Sequence, residues 1–70
     1  MLFKKDPAKA IRKLMIDRDM NVNELADVTG LSQKQVSAII NGKVARPHRS
    51  SMESIADALN VRLNKIWPEV

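Results

Sequence analysis

The stretch that decides the fold is Thr29–Lys43, TGLSQKQVSAIINGK. Val36, Ile39 and Ile40 recur in it at the spacing that puts apolar side chains on one side of a helix. Ser32 stands before the run as an N-cap, and Gln35, three residues on, completes a capping box. Asn41-Gly42 ends the helix, which is predicted over 33–41. Its remaining positions are Gln33, Lys34, Gln35, Ser37, Ala38 and Asn41, with no acid among them. A helix face that merely meets water usually mixes Glu with Lys. This one offers amides, a hydroxyl and a cation.

Upstream, Asn21 caps a helix over 22–29, with Glu24 as its capping-box partner. Leu25, Ala26 and Val28 lie within it. Gly30 suits the left-handed conformation that ends a helix, and only Leu31 and Ser32 separate it from the next. A connection this short, with inward side chains on both sides, forces the two helices to cross steeply, the geometry of a helix-turn-helix. Ala26 is small enough to let them approach, and Leu31 plugs the gap. With Val36, Ile39 and Ile40 turned inward, Gln33, Lys34, Ser37, Ala38 and Asn41 form one outward stripe. Such a stripe matches what a DNA major groove presents. Amides pair with adenine, a cation meets guanine or phosphate, and Ala or Ser leaves room for a thymine methyl. The helix N-terminus adds backbone donors for phosphate. The plainer alternative is a solvated polar face; the turn geometry favours DNA contact.

The rest of the chain reads the same way. Asp6-Pro7 opens a helix over 7–18, with Ile11, Leu14 and Met15 inward. Ser50 with Glu53 predicts a capping box and a helix over 51–59, carrying Met52, Ile55, Ala56 and Leu59 and closed by Asn60. A last helix over 63–67 holds Leu63, Ile66 and Trp67 and stops at Pro68. Met1, Met15, Met20 and Met52 read as core or turn fillers. The expectation is all-α: a compact bundle of five helices in a single domain, 1–70.

Composition narrows the function. Twelve Lys and Arg against eight Asp and Glu leave a net charge of +4, which modestly favours a polyanionic partner. Phe3 and Trp67 are the only aromatics, too few for the stacking platforms of single-strand binders. There is no cysteine and one histidine, so neither a disulfide nor a metal site is expected. No cofactor is expected. No acidic pair stands in a pocket-forming context, and a small bundle has little room for a cavity, so an enzyme is not expected. No apolar run approaches the about 20 residues of a membrane span, and the N-terminus does not read as a signal peptide. The expected place is the bacterial cytosol or nucleoid.

The ordered set Leu25-Ala26, Gly30-Leu31-Ser32, Val36, Ile39 and Asn41-Gly42 resembles the helix-turn-helix of the lambda-repressor/Cro-like (XRE-type) family. Residues 52–67, MESIADALNVRLNKIW, resemble that family's fourth and fifth helices, so the similarity covers nearly the whole chain. Ile66-Trp67-Pro68 is further similar to the small phage Ner-like regulators. The resemblance implies a lambda-repressor-like bundle and a double-stranded DNA operator as partner. It implies base-facing roles for Gln33, Lys34, Ser37 and Ala38, and backbone contact for Asn41 and the residues after it. Val22 stands where many relatives carry a bracing Gln, and Arg62 where a capping Ser or Thr often opens the last helix.

The candidate base contacts are therefore Gln33, Lys34, Ser37, Ala38 and Asn41. The candidate phosphate contacts are Ser32, Lys43, Arg46, His48 and Arg49, the last four in an acid-free loop that Pro47 stiffens. Lys4, Lys5, Lys9, Arg12 and Lys13 are a further basic segment, a solvated face or an arm. One such domain reads few base pairs, so a homodimer on a two-fold operator is expected, with half-sites about 10 bp or a multiple apart. Leu63, Ile66 and Trp67 are the candidate dimer interface, the alternative for Trp67 being a cap on the monomer's own core. The function expected is a transcriptional regulator, a repressor acting by occupancy, from a phage, mobile element or bacterium. An antitoxin-type module that binds a protein partner and its own promoter is the alternative; a pure interaction domain without DNA binding is a third reading.

Overall fold

In a computed structural model, which describes residues 6–44 and 46–68, five helices follow one another: α1 (Pro7–Asp17), α2 (Val22–Thr29), α3 (Gln33–Ile40), α4 (Arg49–Ala58) and α5 (Leu63–Ile66). The fold is all-α, as the 3.6-residue periodicity predicts. Lys4, Lys5, Met1 and Phe3 lie outside the described residues.

The helix ends follow from local chemistry. The Asp6 carboxylate accepts from the amides of Ala8, at 3.1 Å, and Lys9, with Pro7 in the first turn. Asn21 and Glu24 bond each other's backbone amides at 2.9 and 3.0 Å, and Ser32 and Gln35 do the same at 3.1 and 3.0 Å. Both predicted boxes at the helix-turn-helix are thus formed.

Three helices end in one Schellman pattern, in which the residue two past the cap bonds the carbonyl five residues back. Met20 donates to Met15, Lys43 to Ala38 and Val61 to Ala56. The left-handed residue in each is Asp19, Gly42 or Asn60. In two of them, short polar side chains that tolerate this conformation take the place glycine holds in the third.

The predicted box at Ser50 and Glu53 is not formed. α4 starts at Arg49, with His48 in the N-cap position and no side-chain cap. The Met52 amide bonds the His48 carbonyl at 3.0 Å, which sets the first turn two residues earlier than predicted. Glu53 accepts instead from Arg49 Nε at 3.3 Å, one turn away. That exposed pair contributes little by itself; the earlier start completes more of the backbone ladder.

The core is aliphatic apart from one indole. Ile11, Met15, Leu25, Ala26, Val36, Ile39, Ile40, Met52, Ile55, Leu59, Ile66 and Trp67 form a single buried cluster. Leu14, Met20, Val22, Leu31 and Leu63 pack against it partly buried. Among the described residues no polar or charged residue is buried. α3 lies between α2 and α1, α4 covers α2, and α5 closes the other end against α1 and α4.

Of the two fates open to Trp67, the fold shows the core one within the monomer. Ile66 and Trp67 are 0% and 1% exposed within the monomer, so neither has side-chain surface to offer a second copy. Leu63 is half-buried. The Trp67 amide bonds the Leu63 carbonyl at 2.9 Å and continues the last turn of α5, while the indole is buried in the core. In a chain with two aromatics, that ring supplies the largest single block of buried apolar volume.

Candidate nucleic-acid interface

The turn between α2 and α3 is held by backbone and one hydroxyl. Gly30 has φ +77°, and its amide bonds the Ala26 carbonyl at 2.9 Å. The Thr29 hydroxyl donates to the Leu25 carbonyl at 2.7 Å and accepts from the Leu31 amide at 3.3 Å. Thr29 therefore ties the end of α2 to the turn residue that plugs the core, a role that sequence reading missed. A Thr directly before the closing Gly was the available signal, since hydroxyls compete for backbone groups at helix ends.

The turn and the capping box set the roll of α3. Val36, Ile39 and Ile40 are buried, while Gln33, Lys34 and Asn41 are exposed and Ser37 and Ala38 half-buried at the edge. The five candidate base contacts therefore share the outward side of one helix. Gln35 is exposed too, but its side-chain oxygen is held by the Ser32 amide. The first intrahelical bond of α3 runs from the Val36 amide to the Ser32 carbonyl at 3.0 Å. The amides of Gln33 and Lys34 precede it and lie at the positive end of the helix dipole. Ser32 Oγ accepts from the Gln35 amide and keeps its own proton to donate, so the cap and a phosphate contact are compatible.

Further along the stripe the Asn41 amide donates to Ser37 Oγ at 3.1 Å. The two side chains are one turn apart and orient each other. The Ser37 proton, the second Nδ2 hydrogen of Asn41 and Asn41 Oδ1 remain to be presented outward, two donors and one acceptor.

The loop after α3 folds back beside the stripe. The Lys43 and Val44 amides both bond the Ala38 carbonyl, at 2.9 and 3.2 Å. A shallow hollow of about 300 Å³ lies between them, lined by Lys34, Gln35, Ala38 and Ile39 of α3, Val44, Pro47 and His48 of the loop, and Ser51 of α4. Val44, 40% exposed, is an apolar wall that sequence reading passed over. Lys43, Arg46, His48 and Arg49 are all exposed. They cluster along the loop and the first turn of α4, and Arg49 shares its charge with Glu53.

The α1 cations divide. Arg12, itself exposed, reaches across to α3 and donates from Nη1 to the Ile40 carbonyl at 2.6 Å. Lys9 and Lys13 line a groove between α1 and α5 with Asp6, Ala10, Leu14, Asp17 and Lys65. Val22, in the bracing position, is half-buried against the core. At that position α2 contributes to the apolar core and carries no polar side chain.

The comparisons with known proteins agree with this architecture. A family model described as the Cro/C1-type helix-turn-helix DNA-binding domain matches residues 10–66. No curated protein matches the chain. Among solved structures, the chain is similar to part of Streptomyces albus HEPD, determined with its substrate 2-hydroxyethylphosphonate and Fe(II) bound. The TM-score is 0.81 at 30% identity, over 94% of this chain and 15% of that one. The chain thus spans a small part of that protein's length. Among the described residues no helix is long and apolar enough to cross a membrane. With the match running from α1 to the end of α5, the chain belongs to the family of Cro/C1-type helix-turn-helix DNA-binding domains.

Proposed function

We propose that this chain is a sequence-specific transcriptional regulator that represses by occupying an operator, with α3 as the recognition helix in the major groove. One observation carries the reading: the Gly30 turn and the Ser32–Gln35 box present an acid-free stripe on the side of α3 opposite its core residues. Gln33 is the first candidate for a base contact, through bidentate bonding to adenine, with Lys34 and Ser37 next. Ala38 and the hollow beside it leave room for a thymine methyl. Ser32, the amides at the start of α3 and the cations Lys43, Arg46, His48 and Arg49 grip the flanking phosphates. Each cation so placed adds about one released counterion to the salt dependence.

The same reading makes the chain a binding protein and not an enzyme, in one 70-residue domain acting in the bacterial cytosol or nucleoid. Its 15% share of the HEPD chain is no support for carrying that protein's chemistry over. A homodimer on a two-fold operator supplies the second half-site, about 10 bp or a multiple away. Its contact surface lies elsewhere than Ile66 and Trp67. A partner-binding, antitoxin-type reading draws on the groove of about 480 Å³ between α1 and α5, where Ala10 and Leu14 lie among charged side chains.

Selecting bound sequences from a random duplex pool at fixed salt tests the proposal. A defined operator is expected, and its symmetry reports the stoichiometry. Replacing Gln33 with Ala is expected to cost about 1–3 kcal/mol on that operator and to relax preference at one base position. The double change Gln33→Ala with Lys34→Ala leaves the fold intact and removes discrimination. Wild-type protein that binds random duplex as tightly as any selected site would overturn the base-reading role.

A further inference from the structure

α3 is held at both ends, by different helices. At its start stand the Gly30 turn, the Ser32–Gln35 box and Leu31. At its finish stands α1. Ile40 is the last residue of α3, and its carbonyl has no helical donor, because the Val44 amide four residues on bonds Ala38 instead. Arg12 Nη1 occupies that carbonyl at 2.6 Å, across 28 residues of sequence. A guanidinium there also meets the negative end of the helix dipole. One turn earlier on α1, Ala8 is buried, and its Cβ lies 3.9 Å from where a side chain on Gly42 would begin. Arg12 thus bonds the residue before Asn41, and Ala8 faces the open side of the glycine after it.

From this geometry we infer that Arg12 is a positioning residue for DNA reading. It fixes the exit of α3, and with it the placement of Ser37, Ala38 and Asn41. The inference rests on α3 being the recognition helix. Ser37 and Asn41 are joined by their 3.1 Å bond, so a tilt of the last turn displaces both together. Support from α2 is apolar at Val22, which leaves Arg12 as a polar tether at the opposite end. The role differs from that of a phosphate-binding cation. A phosphate contact raises affinity for every sequence alike, whereas a tether acts only where geometry is read.

Two variants and two measurements test this. Arg12→Met keeps the aliphatic stem and loses the donor; Arg12→Lys keeps a donor and the charge. Affinity is measured on the selected operator and on a random duplex across a salt series. Amide hydrogen exchange is followed at Gly42, Lys43 and Val44 in the free protein, and thermal unfolding verifies that each variant folds. For Arg12→Met the operator-to-random ratio is expected to fall about fivefold, while random-duplex affinity stays within about twofold and the salt slope holds. Exchange at Lys43 and Val44 speeds up, and Arg12→Lys falls between Met and wild type in both readouts.

A uniform loss on both duplexes, with the slope reduced by about one, would make Arg12 a phosphate contact and overturn the inference. Unchanged discrimination or unchanged exchange would overturn it as well. If wild-type protein itself shows no preference among duplexes, it is the recognition-helix reading that fails. Exchange in the free protein then still decides whether Arg12 holds the end of α3. Should Arg12→Met not fold, the Arg12→Lys exchange and ratio carry the same decision.

Discussion

Gly30 shows how one backbone dihedral aims a whole helix face. Its φ of +77° is the left-handed region, and a Cβ added there would meet nothing within 4 Å. The cost of a side chain at this position is therefore conformational and not steric. Gly30→Ala is expected to lower stability by about 1 kcal/mol, with Gly30→Asn milder because Asn tolerates this region. Thermal unfolding of the two variants checks the order. Equal losses for Ala and Asn would mean that the strain lies outside φ. Thr29 belongs to the same device: its hydroxyl bonds α2 carbonyls and the Leu31 amide, so the turn is shaped by two adjacent residues.

At the scale of elements, the helix starts divide into those made by a side chain and those made by context. Ser32 caps α3 through its own oxygen, whereas the hydroxyl of Ser50, the predicted cap of α4, has no such role, since that helix begins at Arg49. Ser32→Ala is expected to cost about 1 kcal/mol. Ser50→Ala is expected to stay within about 0.5 kcal/mol of wild type, because Ala is the better helix former. Chemical denaturation of both variants measures the contrast, and a loss at Ser50 as large as that at Ser32 would restore the predicted box. The two predicted boxes at the helix-turn-helix were legible because each depends on partners three residues apart. The start of α4 was not, because Pro47, the His48 carbonyl and Glu53 compete over the same turn.

For the whole molecule, the decisive side chain is Trp67. It is 1% exposed beside Ile66, Leu59 and Ile55, each 0% exposed. Trp67→Ala is expected to cost about 3–5 kcal/mol, a large share of the stability of a small domain. Unfolding midpoints of wild type and variant should then differ by the same amount at every protein concentration. A difference that grows with concentration would indicate that the indole works between subunits instead. The expectation of an interface at this position came from the enrichment of Trp in interfaces. Four residues of α5 bury nothing alone, and their burial follows only once α1 and α4 are in place.

The sequence by itself determined the five helices, the capping at the helix-turn-helix and the face of α3 that Gln33, Lys34, Ser37, Ala38 and Asn41 share. Each depends on residues within four positions of one another, where spacing and dihedral preference settle the outcome. Tertiary structure alone decided the burial of Ile66 and Trp67, the early start of α4 and the bond from Arg12 to Ile40. Those outcomes depend on which carbonyl or apolar surface a distant helix brings near. Arg12 stands among five basic residues of the first 13, and nothing in the local pattern separates it from Lys9 or Lys13. Only the exit of α3, lying 28 residues away in sequence, provides the acceptor that does.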